Sequence, residues 1–215
     1  STTSQEPLSF SDDMTGSILR GFFKDGELDS VRLEGMATTL YHIFEDSIYQ
    51  GNNRASGDTI VLKFGEDDLE SIFISGGSEG TYTPDSLGSD IDGKVVYQSD
   101  KIKYNMQNES TDLLGEANID YTDMNLKACF INVAWSSNLL KALPASDKDS
   151  TITPFRPTMI EEGNEPMVGD TMIYNLDSQN GKVIRGKTKA DDGYYHGKEI
   201  RNQNMDIFYI DDAIY

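Results

Sequence analysis

The side chains that could support acid–base or metal chemistry are few and scattered along this chain. Its two histidines, His42 and His196, are far apart in sequence, and neither lies in a metal-ligand spacing such as His-Glu-x-x-His. Both are therefore predicted to be surface or partly buried structural residues. Four acidic doublets resemble paired carboxylates, but neighbours on a strand point to opposite faces, which disfavours a hydrolase. The doublets are Asp12-Asp13, Asp67-Asp68, Asp191-Asp192 and Asp211-Asp212.

Two loops resemble ligand-binding motifs by composition, but each lacks a required part. The loop from Gly76 to Gly80 is similar to a phosphate-cradling loop, yet no helix pattern follows it, so we predict a turn. The loop from Asp90 to Gly93 is similar to the start of a calcium loop, yet Lys101 stands where the closing Glu is needed. We predict no cofactor and no metal. The single cysteine, Cys129, is expected to be a small buried hydrophobe in a strand.

A sequence motif that occurs three times is the most informative pattern in the chain. It consists of an Asp, then an alternating apolar run centred on an aromatic residue, then a turn. The copies begin at Asp58, Asp100 and Asp170. Side chains two, four and six positions after the Asp share one face of a strand, and this face is apolar in all three copies. We call each such strand with its turn a rung. A rung with one apolar face cannot bury that face alone, so neighbouring rungs are expected to stack.

The stacked apolar face is the candidate binding surface of this protein. Aliphatic side chains, methionines and aromatic rings adapt well to alkyl chains, so the face could form a groove for a lipid. A filled core uses the same residue types, and both interpretations stay open at this point. The candidate groove residues are Ile60, Leu62, Phe64, Ile72, Ile74, Ile102, Tyr104, Met106, Met172, Tyr174, Leu176, Ile184, Met205, Ile207 and Tyr209.

The chain is strongly acidic, with a formal net charge of −19, and this makes nucleic acid an unlikely partner because phosphate binding depends on Lys and Arg. One segment, from Lys182 to Arg201, is locally basic. Within it Arg185, Lys187 and Lys189 alternate, so they are predicted to share one face of a strand. That face is either an ordinary solvent face or a set of contacts to anionic head groups.

The elements that position these residues are predicted to be β-strands. Helical periodicity is almost absent, and short alternating runs separated by turn dipeptides indicate an all-β, antiparallel fold with little helix, such as a sandwich, a barrel or a solenoid. The turn signals include Asp25-Gly26, Gly51-Asn52-Asn53, Gly76-Gly77, Asp92-Gly93, Asn180-Gly181 and Asp192-Gly193. The predicted strands cover residues 30–33, 39–43, 59–64, 71–75, 101–106, 126–133, 171–176, 182–190 and 205–210.

Three segments depart from the strand pattern. Residues 138–143 are predicted to form a helical turn. Residues 144–168 hold four of the six prolines and are interpreted as an insertion or a loop. Residues 1–13 are polar and are expected to be flexible. This leaves rungs over residues 14–143 and closing rungs of the same fold over residues 169–215.

The second and third repeats carry a family resemblance, together with Asn125 to Ala128, the basic strand that begins at Gly181, and the run from Phe208 to Tyr215. The motif of an Asp, an apolar run with Tyr and Asn, then Gly and a basic strand resembles the OstA-like lipopolysaccharide-transport family. Within the family, the nearest likeness is to the periplasmic N-terminal domain of the outer-membrane assembly protein LptD. The resemblance covers residues 99–215, and it extends less closely to the first repeat.

This resemblance implies a fold and a function. The fold would be a β-jellyroll, or β-taco, whose V-shaped pair of sheets holds lipid A acyl chains in an open groove. The chain would be a non-enzymatic periplasmic domain associated with the outer membrane. Its partners would be lipopolysaccharide, other Lpt-type jellyrolls docked by edge-strand addition, and an outer-membrane barrel in the full-length protein.

A different class of protein remains open beside this one. A carbohydrate-binding or adhesive β-solenoid or sandwich of a cell-surface protein would use the same apolar faces as a closed core. It would present exposed aromatic residues, such as Tyr194 and Tyr195, as a platform for sugars. Whether the repeat residues line an open groove or a filled interior distinguishes the two.

Overall fold

The structure is a computed structural model that describes residues 10–65, 68–145, 155–190, 193–203 and 207–214. These residues form fifteen strands and one short 3-10 helix, Trp135–Ser137. The first eight strands are β1 Asp13–Thr15, β2 Ile18–Lys24, β3 Glu27–Glu45, β4 Ile48–Phe64, β5 Leu69–Pro84, β6 Val95–Asn105, β7 Ser110–Tyr121 and β8 Met124–Ala134. The remaining strands are β9 Leu139–Leu143, β10 Thr158–Glu161, β11 Met167–Val168, β12 Thr171–Asn175, β13 Gly181–Ala190, β14 Gly193–Gln203 and β15 Ile207–Asp211.

The strands form one continuous antiparallel arrangement. From β3 to β8 each strand pairs with the next one along the chain. After β8 the sheet divides, because one half of β8 pairs with β9 and the other half pairs with β10. Both branches meet again at β13, which pairs with β11 and β12. The predicted all-β, antiparallel class is confirmed.

The long strands bend near their middle at aligned bulges. In β3, β5 and β7 the bend is a pair of residues at positive φ, namely Gly35-Met36, Gly76-Gly77 and Gly115-Glu116. The register shifts at these positions, where two residues face a single residue on the neighbouring strand. Because a bulge bends and twists its strand, a row of aligned bulges folds the sheet along one line. We call this line the corner.

The corner divides the strands into two facing sheets. Sheet 1 comprises residues 18–24, 28–34, 59–64, 69–75, 101–105, 110–114, 130–134, 139–143, 171–175, 181–184, 199–203 and 207–211. Sheet 2 comprises residues 13–15, 37–45, 48–56, 78–84, 95–98, 117–121, 124–128, 158–161, 167–168, 186–190 and 193–197.

The apolar faces of the two sheets pack against each other. The rings of Tyr41 in sheet 2 and Tyr104 in sheet 1 lie 5.8 Å apart, and Tyr82 in sheet 2 lies 5.2 Å from Trp135 at the end of sheet 1. The strands run from the corner to turns on the opposite side, which we call the mouth. The result is a β-jellyroll.

The repeated Asp now has a structural position. Asp58 and Asp100 stand at the corner of β4 and β6, beside the glycine bulges of β5 and β7, and Asp170 stands just before β12. Cys129 occupies the equivalent corner position on β8, opposite Gly115-Glu116. Strand β8 is therefore a further rung between the second and third copies of the motif, although its corner residue is Cys129 and not an Asp.

Several local predictions from the sequence were wrong. Residues 138–143, predicted as a helical turn, contain strand β9, and the short helix precedes them. Gly76-Gly77 is a bulge inside β5, and the predicted turn at Gly51 lies inside β4. Strands β2, β7 and β14 were not predicted. Strands β10 and β11, from the proline-rich segment, extend sheet 2.

The corner glycines give a direct test of the fold. Gly76 has φ +82°, and a Cβ on it would overlap Asp58 Oδ2, whereas Gly77 has φ +59° and a Cβ on it would meet nothing within 4 Å. We expect Gly76→Ala to lower the free energy of unfolding by about 3 kcal/mol, as backbone strain adds to overlap. Gly77→Ala is the matched control, with an expected cost of ~1 kcal/mol. Urea denaturation measures both; equal losses would contradict the packing of Asp58 on Gly76.

Candidate functional site

The interior between the two sheets is the candidate site, and it contains most of the residues predicted to share an apolar face. Their side chains are 0–2% exposed and belong to one continuous apolar cluster. This group consists of Ile60, Leu62, Ile72, Ile74, Ile102, Tyr104, Met172, Tyr174 and Leu176. The facing sheet packs directly on them, so the middle of the interior is filled.

Phe64 and Met106 lie at the ends of their strands and are partly buried against the same cluster. Ile184 and Tyr209 point to the other face of the sheet, and the interior positions are taken by Val183 and Ile210 instead. Met205 lies outside the described residues, and the side chain of Ile207 is likewise not described.

The sequence-based prediction missed much of the interior. Strand β7 contributes Leu113, Ile119 and Tyr121, and sheet 2 contributes Val95 and Tyr97. A signal for β7 exists, because all of its buried residues except Asn118 occupy odd positions, namely Thr111, Leu113, Ala117, Ile119 and Tyr121. Gly115 and Glu116 interrupt the alternation in the middle of this series.

One polar network lies inside the apolar cluster. The Tyr97 hydroxyl donates to Asn53 Oδ1 over 2.7 Å and is also hydrogen-bonded to the Tyr104 hydroxyl. Burial raises the pKa of both tyrosines above its ordinary value, so both hydroxyls keep their protons even at alkaline pH. Asn53 Nδ2 is buried and has no hydrogen-bond partner among the described residues. The network fixes the relative position of sheets 1 and 2, since Tyr104 belongs to one and Tyr97 and Asn53 to the other.

Two cavities open at the mouth. The first, here called the aromatic cavity, has a volume of about 330 Å³ and is lined by Tyr41, Ile43, Tyr82, Tyr104, Met106 and Trp135, with polar residues at its edge. The second, called the C-terminal cavity, has a volume of about 390 Å³ and is lined by Met159, Glu161, Met167, Lys189, Tyr195 and Ile200, among others. At both cavities the apolar interior reaches the surface.

Glu161 brings a carboxyl group to the C-terminal cavity. The residue is 8% exposed, Asn164 Nδ2 donates to its Oε2 over 3.3 Å, and its Oε1 is buried with no partner among the described residues. Burial raises the pKa of this carboxyl, and the hydrogen bond from Asn164 opposes that shift.

The basic stripe lies on the exposed face of β13, as its alternation predicts, but each of its members has a partner. Arg185 forms an ion pair with Asp170, and Lys189 Nζ lies 3.7 Å from Glu165 Oε1. Lys187 Nζ lies 4.9 Å from the centre of the Tyr194 ring. Tyr194 is exposed, whereas Tyr195 lines the C-terminal cavity, so the two rings do not form a common platform.

The remaining titratable candidates do not converge. His42 contacts Asp12 and packs beside Phe10, and Cys129 is half-buried with its Sγ 3.7 Å from the Phe155 carbonyl oxygen. Cys129 is therefore less buried than predicted. Among the described residues no group of three His, Cys, Asp or Glu side chains could hold a metal ion. Nor does the described part of the chain contain a helix suited to crossing a membrane.

The folded antiparallel sheet with an apolar interior defines a β-jellyroll. No protein family and no curated protein matches the sequence, but eleven solved chains match by structure. One of these is LptH from Pseudomonas aeruginosa, described as the LptA-homologous periplasmic component of the lipopolysaccharide transport device. The TM-score is 0.56 and the identity 14%, over 71% of this chain and 95% of LptH. At that identity the match shows the fold.

The buried carboxyl predicts a pH-dependent effect on stability. Folding raises the pKa of the Glu161 carboxyl, so at pH values between the unfolded and the folded pKa the folded state binds more protons than the unfolded state. The free energy of unfolding therefore falls as pH rises through this window. We expect Glu161→Gln to raise the thermal midpoint at pH 7, with a gain that shrinks toward pH 4. Glu165→Gln, at an exposed position, is the control. A loss of stability in Glu161→Gln at pH 7 would contradict the burial of this carboxyl group.

Proposed function

We propose that this chain is a non-catalytic, periplasmic domain that binds and conducts lipopolysaccharide, with lipid A acyl chains held between the two sheets for delivery to the outer membrane. The observation that carries the proposal is the single apolar interior that runs through successive rungs of a jellyroll. The likeness to LptH supports the choice of ligand, because that protein is a component of a lipopolysaccharide transport device.

The energetics favour alkyl chains as occupants. Each CH2 group removed from water contributes roughly 0.8 kcal/mol to the free energy of binding. This contribution does not depend on where along the interior the alkyl chain lies. The rungs resemble one another, so a chain can move from one to the next without a deep minimum. In the structure the interior is filled by its own side chains, so acyl chains enter as the sheets separate at the mouth. The interior residues named above are then the lipid contacts.

Head groups would lie outside, where the charge of −19 repels lipid A phosphates. Arg185, Lys187 and Lys189 are the proposed contacts that offset this repulsion. Their present partners do not prevent it, because ion pairs at exposed positions contribute little free energy and a phosphate competes with them.

The first rung supports docking of a neighbouring jellyroll. Leu19 of β2 pairs with the buried Leu33 and shares its inward face, yet Leu19 is 61% exposed and Phe23 is 71% exposed. An exposed inner face beside an edge strand is suited to strand addition by another Lpt-type jellyroll. In its more specific form, the proposal is that this chain is an LptD-like domain and that the full-length protein also contains an outer-membrane barrel.

A second candidate function has one observation in its favour. The filled interior is what a closed carbohydrate-binding or adhesive sandwich predicts. However, the aromatic platform that such a domain was expected to present is divided between two faces, with Tyr194 outside and Tyr195 at the C-terminal cavity.

Photo-crosslinking distinguishes these functions. A benzophenone amino acid at Tyr104 or Tyr174, both inside, is expected to capture lipopolysaccharide in cells that make it. The same amino acid at Lys103, which is exposed and adjacent to Tyr104, is the matched control. Capture of lipopolysaccharide only at Lys103 would exclude transport through the interior, and capture of free polysaccharide at Tyr194 would favour the carbohydrate-binding alternative.

A further inference from the structure

One hydrogen bond crosses the mouth between the two cavities. The hydroxyl of Tyr121, at the end of β7 in sheet 2, donates to the main-chain oxygen of Leu176, just after β12 in sheet 1, over 3.0 Å. Both residues are almost completely buried. The Tyr121 hydroxyl also interacts with the side chain of Gln179, in the turn that follows Leu176. Sheet 2 is therefore attached to the turn between β12 and β13 at this point.

The position of this contact separates the two openings of the interior. The aromatic cavity lies between the early turns, at residues 41–44, 89–91, 104–111 and 135–138, and the C-terminal cavity lies against residues 159–167, 188–189 and 195. Tyr121 and Leu176 line neither cavity. Along the strand order they lie between the two, so an alkyl chain in one cavity cannot pass along the mouth to the other while the contact is formed.

The Tyr121 hydroxyl is the centre of this contact, which also includes the side chain of Gln179 and the main chain of Asp92. The Leu176 amide is bonded within sheet 1, to the Asn138 carbonyl over 2.8 Å, so the residue is held in place independently of Tyr121. A bond of this kind, between a neutral hydroxyl and a carbonyl, contributes a modest net free energy and can open without unfolding the sheets.

We propose that the hydrogen bond from Tyr121 to Leu176 is a latch that holds the sheets together at the middle of the mouth and opens when an acyl chain moves from the aromatic cavity to the C-terminal cavity. The role in lipid passage rests on the proposed function; the role in holding the sheets together does not. The structure with its filled interior is then the closed, lipid-free state, and opening of the latch gives the state that conducts lipid.

A matched pair of variants isolates the hydroxyl. Tyr121→Phe removes the latch bond and keeps the ring. Tyr174→Phe removes the hydroxyl of another buried interior tyrosine, which has no hydrogen-bond partner among the described residues. Each variant is made in a chain that carries Cys129→Ser and nitroxide spin labels at Asp123 and Asp177, two exposed positions on opposite sides of the mouth near the latch.

Pulsed electron–electron double resonance then measures the distance between the two spin labels across the mouth. The rate at which purified lipid A is taken up is measured on the same samples. We expect Tyr121→Phe to widen the distance distribution without lipid and to take up lipid A about threefold to tenfold faster than the parent chain. Tyr174→Phe is expected to match the parent in the distance distribution, which is the readout it controls. Lipid A is expected to widen the distribution of the parent.

Two outcomes overturn the latch: an unchanged distance distribution in Tyr121→Phe, or lipid A bound by the parent chain with no change in the distance. A wider distribution in Tyr121→Phe with no uptake of lipid A by any variant supports the latch as a structural contact and overturns the proposed function. The distance and the uptake thus test the two proposals separately.

Discussion

The corner is the constraint on which the rest of this jellyroll depends. A strand of 16 to 19 residues, as in β3, β4 and β5, would be a straight extended segment unless something bent it. Here the bend comes from residues at positive φ on alternate strands, where Gly76 and Gly115 leave room for the aspartates beside them. With the bends aligned, the apolar faces of both halves turn toward each other. The interior, the mouth and the two cavities all follow from that fold line.

The distribution of charge complements this geometry. The chain carries a charge of −19, and in its described part most acidic residues on the strands alternate with buried residues. They therefore lie on the outer surface, while the interior is almost wholly apolar. The few polar groups inside, such as Asn53, Tyr97 and Glu161, are concentrated where the sheets must be positioned relative to each other or where the interior opens. A uniform apolar interior would hold the sheets together with less positional specificity.

Much of this could be predicted from the sequence, because alternation within one strand is a local property. The interior side of Ile60, Ile102 and Met172 was predicted correctly for this reason. Ile184 was placed wrongly because β13 changes its alternation at Arg185, which has φ 48°, so the outward stripe of basic residues does not extrapolate back to the start of the strand. Contacts such as Tyr121 to Leu176 join residues 55 positions apart and leave no signal in either segment alone.

The two kinds of corner also determine how such a molecule can change its length. Where a strand bends through two residues, as at Gly115-Glu116, its buried residues keep the same parity on both sides. Where the corner is the single residue opposite such a pair, as at Asp58, the parity changes. The two kinds alternate from β3 to β7, and each fits against the other. Between β3 and β7, a single inserted strand would place two corners of the same kind side by side. Insertion or removal of a whole hairpin would instead preserve the alternation in this part of the sheet.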